Sequence, residues 1–559
     1  MGTGDRPRIT RADTGLDRRS FLAVAGVLAG PPLAGCVGDD DDADDFEPIG
    51  DADDTDDADD VDPEPGGTMR VAMESPLSGL DPAYAGLWVD YSVGSLMHQQ
   101  LFELNRDYEM EGLLAEDYDI SEDGLVWDIH LREGVQFHPP YEGEMTAEDV
   151  VYNFDRIADP DVGSPRAAQL EPLESWSAED DYTFRIELPR QLASLPAWLG
   201  FMGLSVLSPD ALEEEGDAEE RPVGTGPFMF EEYIPRERLH LTAFDDYWEE
   251  DIPLLDEVII TPITEAASRV TELETGNIHV DRNPPKDDVP LLEDDPDIEV
   301  QEVASGGHRL LWVNPTEDPD DGRAPEKPTT EIEVRQAINE AVDRQAMVDI
   351  VDGGFGTPTQ TWYPEESPWH VDYAPFSMEA NPERAEELIE EAGFDTPLEI
   401  TILSSPDDAA LRDVGQILRD NLDQAGFDPQ LDEIEIGGWV ERLSGREFDV
   451  AIDWIVTQLD PGTMVDSFDQ DHYPRALAPL RGIDDELFDL FDSAAETDDD
   501  DERRDIYEEL QMRLVDHSVN IPTHFRDLVE AHRTTVQDYE VHPHFLNWKD
   551  VVDTAWLDE

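Results

Sequence analysis

The residue with the most specific chemistry in this 559-residue chain is Cys36, its only cysteine. It follows Leu33-Ala34-Gly35, and small residues at this point let a peptidase approach the backbone. The thiol of Cys36 can then carry a lipid that holds the protein at a membrane. We therefore predict lipidation at Cys36; the alternative is a cleaved signal with an incidental cysteine.

Two arginines precede this segment and indicate how the chain is exported. Arg18 and Arg19 stand directly before an apolar run of 13 residues, Phe21 to Leu33. A helix that spans a bilayer needs roughly 20 apolar residues, so this run is too short to be a membrane anchor. The arrangement is typical of a twin-arginine export signal, which we place over residues 1–36.

Motifs for catalysis are missing from the sequence. There is no Gly-x-Ser-x-Gly, no His-Glu-x-x-His, no phosphate loop and no Cys-x-x-Cys, and Gly224-Thr225-Gly226 lacks the third glycine of a dinucleotide loop. The 137 acidic residues make carboxylate pairs inevitable, so such pairs are no evidence for acid–base catalysis. We predict no catalytic residue, no enzyme activity and no cofactor, and keep a secreted hydrolase as a remote alternative.

Histidines are concentrated near the end of the chain. His542-Pro543-His544 would place two imidazoles on one face of a strand, where they could bind a metal. Histidines that are exposed, or buried with hydrogen-bond partners, are more common than metal ligands. We therefore predict no metal site, and leave any role of His542 and His544 open.

Aromatic side chains are better candidates for ligand contact, because small-molecule clefts combine apolar and aromatic walls with a few polar groups. The chain has 12 tryptophans and 14 tyrosines, most of which must belong to the core. Some fall where loops at the ends of predicted strands would face a cleft. These are Tyr84, Trp88, Trp312, Trp362, Tyr363 and Trp454.

The charge is extreme, with 36 basic and 137 acidic residues and a net charge of −101. Self-repulsion of this size opposes a compact fold in dilute buffer, whereas molar salt reduces the Debye length to about 3 Å. We therefore infer a halophilic source, and we exclude nucleic acid as a partner because phosphate binding needs basic patches. Fifteen of the 24 residues from Asp39 to Asp62 are acidic, so residues 37–66 are predicted to be a disordered tether.

The remaining chain alternates between predicted strands and helices. Strands are indicated at 68–73, 126–131 and 448–454, and a capping-box-like start at Thr146 predicts a helix through Phe154. Helices predicted from Asn381 to Gly393 and from about 408 to 426 are each followed by a β-rich stretch, at 398–403 and 431–436. This order favours an α/β fold with a largely parallel sheet.

Several long motifs resemble family 5 solute-binding proteins, the dipeptide, oligopeptide and nickel receptors of ABC importers. The similar segments, in the order typical of that family, are Val93–Leu104, Asp123–Tyr152, Val223–Phe228 with Asp246–Trp248, and Val334–Arg344. The resemblance covers nearly all of residues 67–559. It implies a two-lobed periplasmic-binding-protein clamshell of class II, in its large form with an extra subdomain in lobe I.

Chain order then suggests lobe I at 67–308 plus 518–559, with the insertion at about 105–215, and lobe II at 309–517. The resemblance implies a monomeric receptor, lipid-anchored at the extracellular face of the cell membrane. It would capture a peptide or similar small solute between its lobes and pass it to ABC permease subunits. A metal or metallophore receptor of the nickel type and a sugar receptor remain alternatives.

One departure from the family concerns the ligand's amino group. Peptide-binding members commonly carry an aspartate four residues before the proline of an acidic-Pro pair. Here that pair is Asp460-Pro461, and Thr457 stands at the position of the aspartate. Asp453 or Asp460 could substitute, or the ligand could lack a free amine. The full set of predicted ligand contacts adds Asn314, Asp453, Thr457 and Asp460 to the six aromatic residues above.

Overall fold

The computed structural model describes residues 63–558, except residues 64, 142, 216, 217, 220, 317–326, 456–459, 472–475 and 498. The predicted export signal with Arg18 and Arg19, the lipidation residue Cys36, nearly all of the acidic tether and Thr457 lie outside the described residues. Within the described part, no helix combines the length and the apolar character needed to cross a bilayer.

Strands and helices alternate along the described chain, as the sequence predicts. The strands are β1 Thr68–Met73, β2 Phe102–Leu104, β3 Met110–Gly112, β4 Ala115–Ile120, β5 Val126–Leu131, β6 Ser175–Asp180, β7 Thr183–Glu187, β8 Phe228–Ile234, β9 Arg238–Ala243, β10 Glu257–Pro262, β11 Val280–Asp281, β12 Ile298–Val313, β13 Gly356–Pro358, β14 Leu398–Ser404, β15 Phe427–Glu433, β16 Val450–Ile455, β17 Asn520–Arg533, β18 Val536–Gln537 and β19 Trp556–Leu557. The helices are α1 Trp88–Gly94, α2 Ala147–Ala158, α3 Leu195–Leu199, α4 Pro209–Glu215, α5 Ala266–Glu274, α6 Val289–Glu293, α7 Ile332–Ala341, α8 Arg344–Val351, α9 Pro382–Glu391, α10 Ala409–Gln424, α11 Ile436–Ser444, α12 Asp485–Ala495, α13 Asp500–His517 and α14 Lys549–Val552.

Local signals fix the helix starts. The backbone N–H of Thr146 donates to Asp149 at 2.7 Å at the start of α2, and Asn381 and Asp408 accept backbone N–H bonds at the starts of α9 and α10. The predicted strand at 431–436 is displaced, because β15 begins directly after Gly426. That glycine takes a φ of +85°, and α11 already begins at Ile436.

An 11-stranded mixed sheet runs through the molecule in the order β15-β14-β16-β12-β17-β11-β1-β10-β9-β8, with β13 added on β17. The strands β14–β15, β14–β16 and β1–β10 pair in parallel, whereas β12 pairs antiparallel with both β16 and β17. The fold is therefore the expected α/β architecture, mixed rather than purely parallel.

The long strand β12 crosses the lobe limit predicted at 308/309, and β17 pairs with it on both sides of that limit. The first half of β12, through Ala304, pairs with residues 527–533 of β17, and the second half, from His308, pairs with residues 520–525 and with β16. The register shifts between Ala304 and His308, so the two halves are separated by Ser305-Gly306-Gly307. The crossing of the lobes thus coincides with an interruption of the ladder.

A separate four-stranded sheet, β4-β5-β7-β6, packs against α2 and forms the centre of the chain segment between β1 and β8. Its inner face carries the buried residues Trp127, Ile129, Phe184 and Ile186. The lobe limits predicted at 308/309 and 517/518, and the insertion at about 105–215, stay predictions. The first limit falls next to the register shift in β12.

Candidate ligand-binding cleft

Two neighbouring cavities are each lined by residues that precede β8 and by residues that follow β12. The smaller cavity is also lined by residues near the end of the chain. The smaller has a volume of about 320 Å³ and the larger about 410 Å³. Ala197 of α3 lines both cavities, and we describe them as two chambers of one candidate cleft. Each chamber falls within the range of small-ligand pockets, about 300–1,000 Å³.

The smaller chamber has walls from three distant parts of the sequence. Trp198, Phe201 and Met202 come from α3 and the turn after it, and His544 and Leu546 come from the loop before α14. Ile455, at the end of β16, and Thr463 and Asp466, in the 3-10 helix Pro461–Ser467, form the opposite wall. A solute in this chamber would touch residues on both sides of the lobe limits predicted at 308/309 and 517/518.

An aromatic cluster continues from this chamber toward α1. The ring of Phe545 packs edge-on against Trp88, with centroids 5.3 Å apart, and lies 6.5 Å from Trp454 at the end of β16. Tyr91 packs edge-on against Phe201 at 5.5 Å. Such contacts combine apolar burial with the electrostatics of ring edges and faces, so they give a rigid wall for a bound solute.

One carboxylate opens into the smaller chamber. Asp466 is exposed to the cavity but surrounded by protein on its other sides, and this burial raises its pKa to about 6 despite a hydrogen bond from Ser467. Across the chamber, burial lowers the pKa of His544 to about 4, so its imidazole is neutral at neutral pH. The chamber therefore holds one acidic group and one neutral hydrogen-bonding ring.

The larger chamber is lined by more charges, several of which are already paired. Asp460 accepts from the Nη2 of Arg503 at 2.6 Å and from the hydroxyl of Tyr507 at 3.0 Å. Tyr108 and Trp369 add aromatic surface to the same chamber. Because Arg503 and Asp460 are both buried and hydrogen-bonded to each other, this pair stabilises the wall rather than offering a free charge.

The model of the family described as "Bacterial extracellular solute-binding proteins, family 5 Middle" matches residues 109–473. The chain belongs to this family. The match covers most of the folded protein, including the chamber residues from Glu109 to Asp466. It confirms the expectation drawn from the sequence motifs, a substrate-binding receptor for an ABC importer, whose members act outside the cytoplasm.

Among curated relatives, the glutathione-binding protein GsiB of Salmonella typhimurium is 27% identical over 489 residues, which cover 85% of this chain and 92% of the relative. Among solved structures, the periplasmic binding protein DppA of Helicobacter pylori, in complex with the peptide STSA, is 26% identical with a TM-score of 0.73. That alignment covers 89% of this chain and 99% of the other. AppA of Bacillus subtilis, solved with a nonapeptide, has a TM-score of 0.73 at 20% identity over 89% of this chain and 100% of its own, and supports the fold alone.

Of the residues predicted from the sequence to contact ligand, one lines a chamber and two lie in the adjoining aromatic cluster. Trp88 and Trp454 belong to the aromatic cluster around Phe545, and Asp460 lines the larger chamber. Asp453 precedes Trp454 on β16, accepts from the indole N–H of Trp312 at 3.0 Å, and has a pKa that burial raises to about 6. Asp453 and Trp312 line neither chamber.

Of four other predicted contacts, three are hydrogen-bonded to other parts of the protein, and the fourth, Tyr363, is buried in the core. Trp362 donates its indole N–H to Asn520 at 2.8 Å, and Asn314 donates to the carbonyl of Arg446 at 2.9 Å. Tyr363 is buried beside them in the same core, and Tyr84 donates its hydroxyl to the carbonyl of Val162 at 2.8 Å. The chambers are not lined by these side chains, and their role in ligand contact stays a prediction.

The histidine pair adopts a different geometry from the one expected. Residues 542–544 form a turn rather than a strand, because the backbone N–H of His544 donates to Nδ1 of His542 at 3.0 Å. The rings therefore do not share a strand face, and only His544 lines the smaller chamber. Among the described residues, no group of three or more His, Cys, Asp or Glu side chains is placed to hold a metal ion.

Sequence reasoning missed the main wall residues of the smaller chamber. Trp198, Phe201 and Met202 stand in the apolar stretch 195–207, which in sequence is indistinguishable from core. Asp466 is one of many acids, and only its position after Asp460-Pro461 marks it as belonging to a short helix at the cleft. A search for acids beside the acidic-Pro pair on its C-terminal side would have found it.

Proposed function

We propose that this receptor captures a peptide, or a solute of similar size and polarity, between its two lobes and presents it to membrane permease subunits. The observation that carries the proposal is the smaller chamber, whose walls come from both lobes. A solute bound there stabilises the closed arrangement, because its contacts to both walls exist only when the lobes are together.

The chamber chemistry supports a polar organic solute of a few residues. Aromatic side chains supply area, while Asp466, Thr463, His544 and Asn547 supply a small number of placed polar groups. The relatives bind glutathione and peptides by name, so the first probes are glutathione and tripeptides.

The proposed location is the extracellular face of the cell membrane, with the lipid on Cys36 and the acidic segment 37–66 as tether. A segment of 30 residues reaches at most about 100 Å when fully extended, which allows a tethered receptor to reach a permease nearby. The net charge of −101 suits a medium of high ionic strength, where screening removes most self-repulsion.

The test uses the full chain purified in molar KCl without added solute. Denaturation and mass spectrometry of the released small molecules should give one solute per protein, and titration calorimetry with glutathione and with tripeptides should give binding of one molecule. Small-angle scattering should show compaction with the bound solute. Absence of any recovered solute, together with scattering curves that no probe changes, would contradict the proposal.

A further inference from the structure

Asp466, which is exposed to the cavity, differs from the buried Asp460 in having no cationic partner among the described residues. Among the described residues, the donor to its carboxylate is Ser467, whose hydroxyl lies 3.0 Å from Oδ1. Asp460, by contrast, is neutralised by Arg503 and also accepts from Tyr507. The carboxylate of Asp466 is therefore the uncompensated acid of the smaller chamber.

The chamber contains no compensating charge of its own. No lysine or arginine side chain lines it among the described residues, and its one imidazole, His544, is kept neutral by burial. A carboxylate that is partly removed from water is stabilised by a cation brought within about 4 Å. A second anion would instead be repelled and would lose its own hydration. The charge that fits this chamber is positive.

The surrounding walls also favour a cation. Phe201 lines the chamber, and its ring already packs against the guanidinium of Arg166, whose central carbon lies 5.6 Å from the ring centroid. Aromatic faces attract ammonium and guanidinium groups, and the attraction grows when water is excluded. A hydrocarbon stem could pack on Met202 and Leu546 while its charged end reaches the carboxylate.

From this arrangement we propose that Asp466 is the residue that selects a positively charged group on the solute, a primary amine or a guanidinium. The inference rests on the proposed function and names the chemical class of its ligand. It also explains how a peptide amine could be held although Thr457 stands where peptide-binding members of the family commonly carry an aspartate. The cation can belong to a peptide N-terminus or to a basic side chain, and the experiment separates these two sources.

The experiment measures binding by titration calorimetry in molar KCl at pH 7.5, with four tripeptide probes. Ala-Ala-Ala carries only the terminal amine, N-acetyl-Ala-Arg-Ala only the side-chain cation, Ala-Arg-Ala both, and N-acetyl-Ala-Ala-Ala neither. The wild type should bind at least one cationic probe roughly tenfold or more tightly than the probe with neither group. Which of the single-cation probes binds tells whether the N-terminus or the side chain enters the chamber.

Three variants test the residue itself. Asp466→Asn removes the charge at constant shape and should abolish the preference for the cationic probe, whereas Asp466→Glu keeps the charge and should retain part of it. Asp123→Asn is the matched control, because Asp123 also accepts from a serine hydroxyl, at 2.7 Å from Ser121, but lies on a hairpin outside both chambers. That control should keep the full preference.

Butylammonium and 1-butanol, followed by tryptophan fluorescence, separate the failure of this inference from the failure of the proposed function. Binding of butylammonium over butanol, lost in Asp466→Asn, supports the cation site even if no tripeptide binds, and in that case the peptide function alone fails. The inference is overturned if tripeptides bind equally well with and without a cationic group, and equally well to wild type and Asp466→Asn. The receptor function would still stand in that case. Equal binding of butylammonium by wild type and Asp466→Asn also overturns it.

Discussion

Trp454, at the end of β16, and Phe545, in the loop before α14, lie with ring centroids 6.5 Å apart, although 91 residues separate them in sequence. Phe545 is held on its own side by α1, because Ser92 donates its hydroxyl to the carbonyl of Phe545 at 2.9 Å. Trp454 is held by pairing with Arg309 of β12, just beyond the register shift. The contact therefore joins the two predicted lobes beside β12, the strand that crosses the predicted limit at 308/309.

Substitution Phe545→Leu should weaken solute binding about five- to tenfold, because leucine keeps the apolar volume but loses the ring contacts to Trp88 and Trp454. Each such contact contributes roughly 0.5–1.5 kcal/mol. Titration calorimetry with the best-bound probe measures the effect. Phe355→Leu is the control, since Phe355 packs near Lys286 outside both chambers. Equal losses in the two variants would contradict a specific role for the aromatic cluster.

Binding of a cationic solute should strengthen as the pH rises toward 6 and then level off. Burial raises the pKa of Asp466 to about 6 in the ligand-free protein, so below that pH the carboxyl group is mostly protonated and cannot attract a cation. The affinity should change about tenfold per pH unit on the acidic side. Titrations between pH 4.5 and 7.5 measure this slope, and the slope should be much smaller in Asp466→Asn. An affinity that falls as the pH rises would contradict a contact between the solute's cation and the Asp466 carboxylate.

The raised pKa of Asp466 has the opposite effect on the stability of the ligand-free protein. A carboxyl group whose folded pKa lies above its unfolded pKa stabilises the fold at low pH, and that contribution disappears as the pH rises from about 4 to 6. The ionised carboxylate of Asp466 should thus make the ligand-free protein slightly less stable at neutral pH. The same carboxylate supplies the negative charge that a cationic solute would contact.

Substitution Asp352→Asn should destabilise the protein by roughly 3–5 kcal/mol, because it removes one partner of a buried ion pair. Asp352 accepts from Arg309 at 3.0 and 3.1 Å and from His524 at 2.7 Å, which ties β12 and β17 to the end of α8. Guanidinium chloride unfolding measures the loss. Glu387→Gln, which removes the exposed pair with Arg384, should change stability little.

The contribution of Asp352 also has a defined pH dependence. Burial alone would raise its pKa, but hydrogen bonds from His524 and the charge of Arg309 outweigh burial and hold the pKa well below its usual value. The stabilisation is therefore present above the ordinary carboxyl pKa near 4 and is lost only as the pH falls through the lower folded value. A destabilisation by Asp352→Asn that vanished at pH 6 would contradict this account.

Lower salt should reduce the melting temperature of the wild type. At about 1 M salt the Debye length is about 3 Å, and at 0.1 M it is about 10 Å, so the repulsion within a chain of net charge −101 extends over several neighbouring residues. Circular dichroism melts in KCl from 0.1 to 3 M measure the trend. Sucrose in place of KCl should not restore the high-salt value, and equal melting temperatures at all salt concentrations would refute the role of screening.

Substitution Cys36→Ala should release folded, solute-binding protein into the medium, because it removes the sulfur that would carry the lipid. Fractionation of cells into medium, membrane and cytoplasm, followed by a binding assay on each fraction, measures the change. Replacing Arg18 and Arg19 together by lysine should instead retain the precursor inside the cell. A Cys36→Ala protein that stays with the membrane would disprove lipidation at this residue.

Sequence alone determined the family, the α/β class and many helix starts. Element boundaries depend on residues that are close in sequence, such as Thr146 and Asp149 at the start of α2 or Gly426 before β15. Such local patterns are visible in the sequence itself. Export and lipidation are likewise predicted from the local order of Arg18, Arg19 and Cys36.

Only the tertiary structure decided which of the many acids is available to a ligand. Asp460 and Asp466 are the same residue type, but α13 places Arg503, 43 residues away in sequence, against Asp460, whereas no described cation pairs with Asp466. The same holds for His544, which reaches the chamber because the turn at 542–544 directs it there. The electrostatic state of a side chain depends on burial and on partners distant in sequence, and these exist only once the chain has folded.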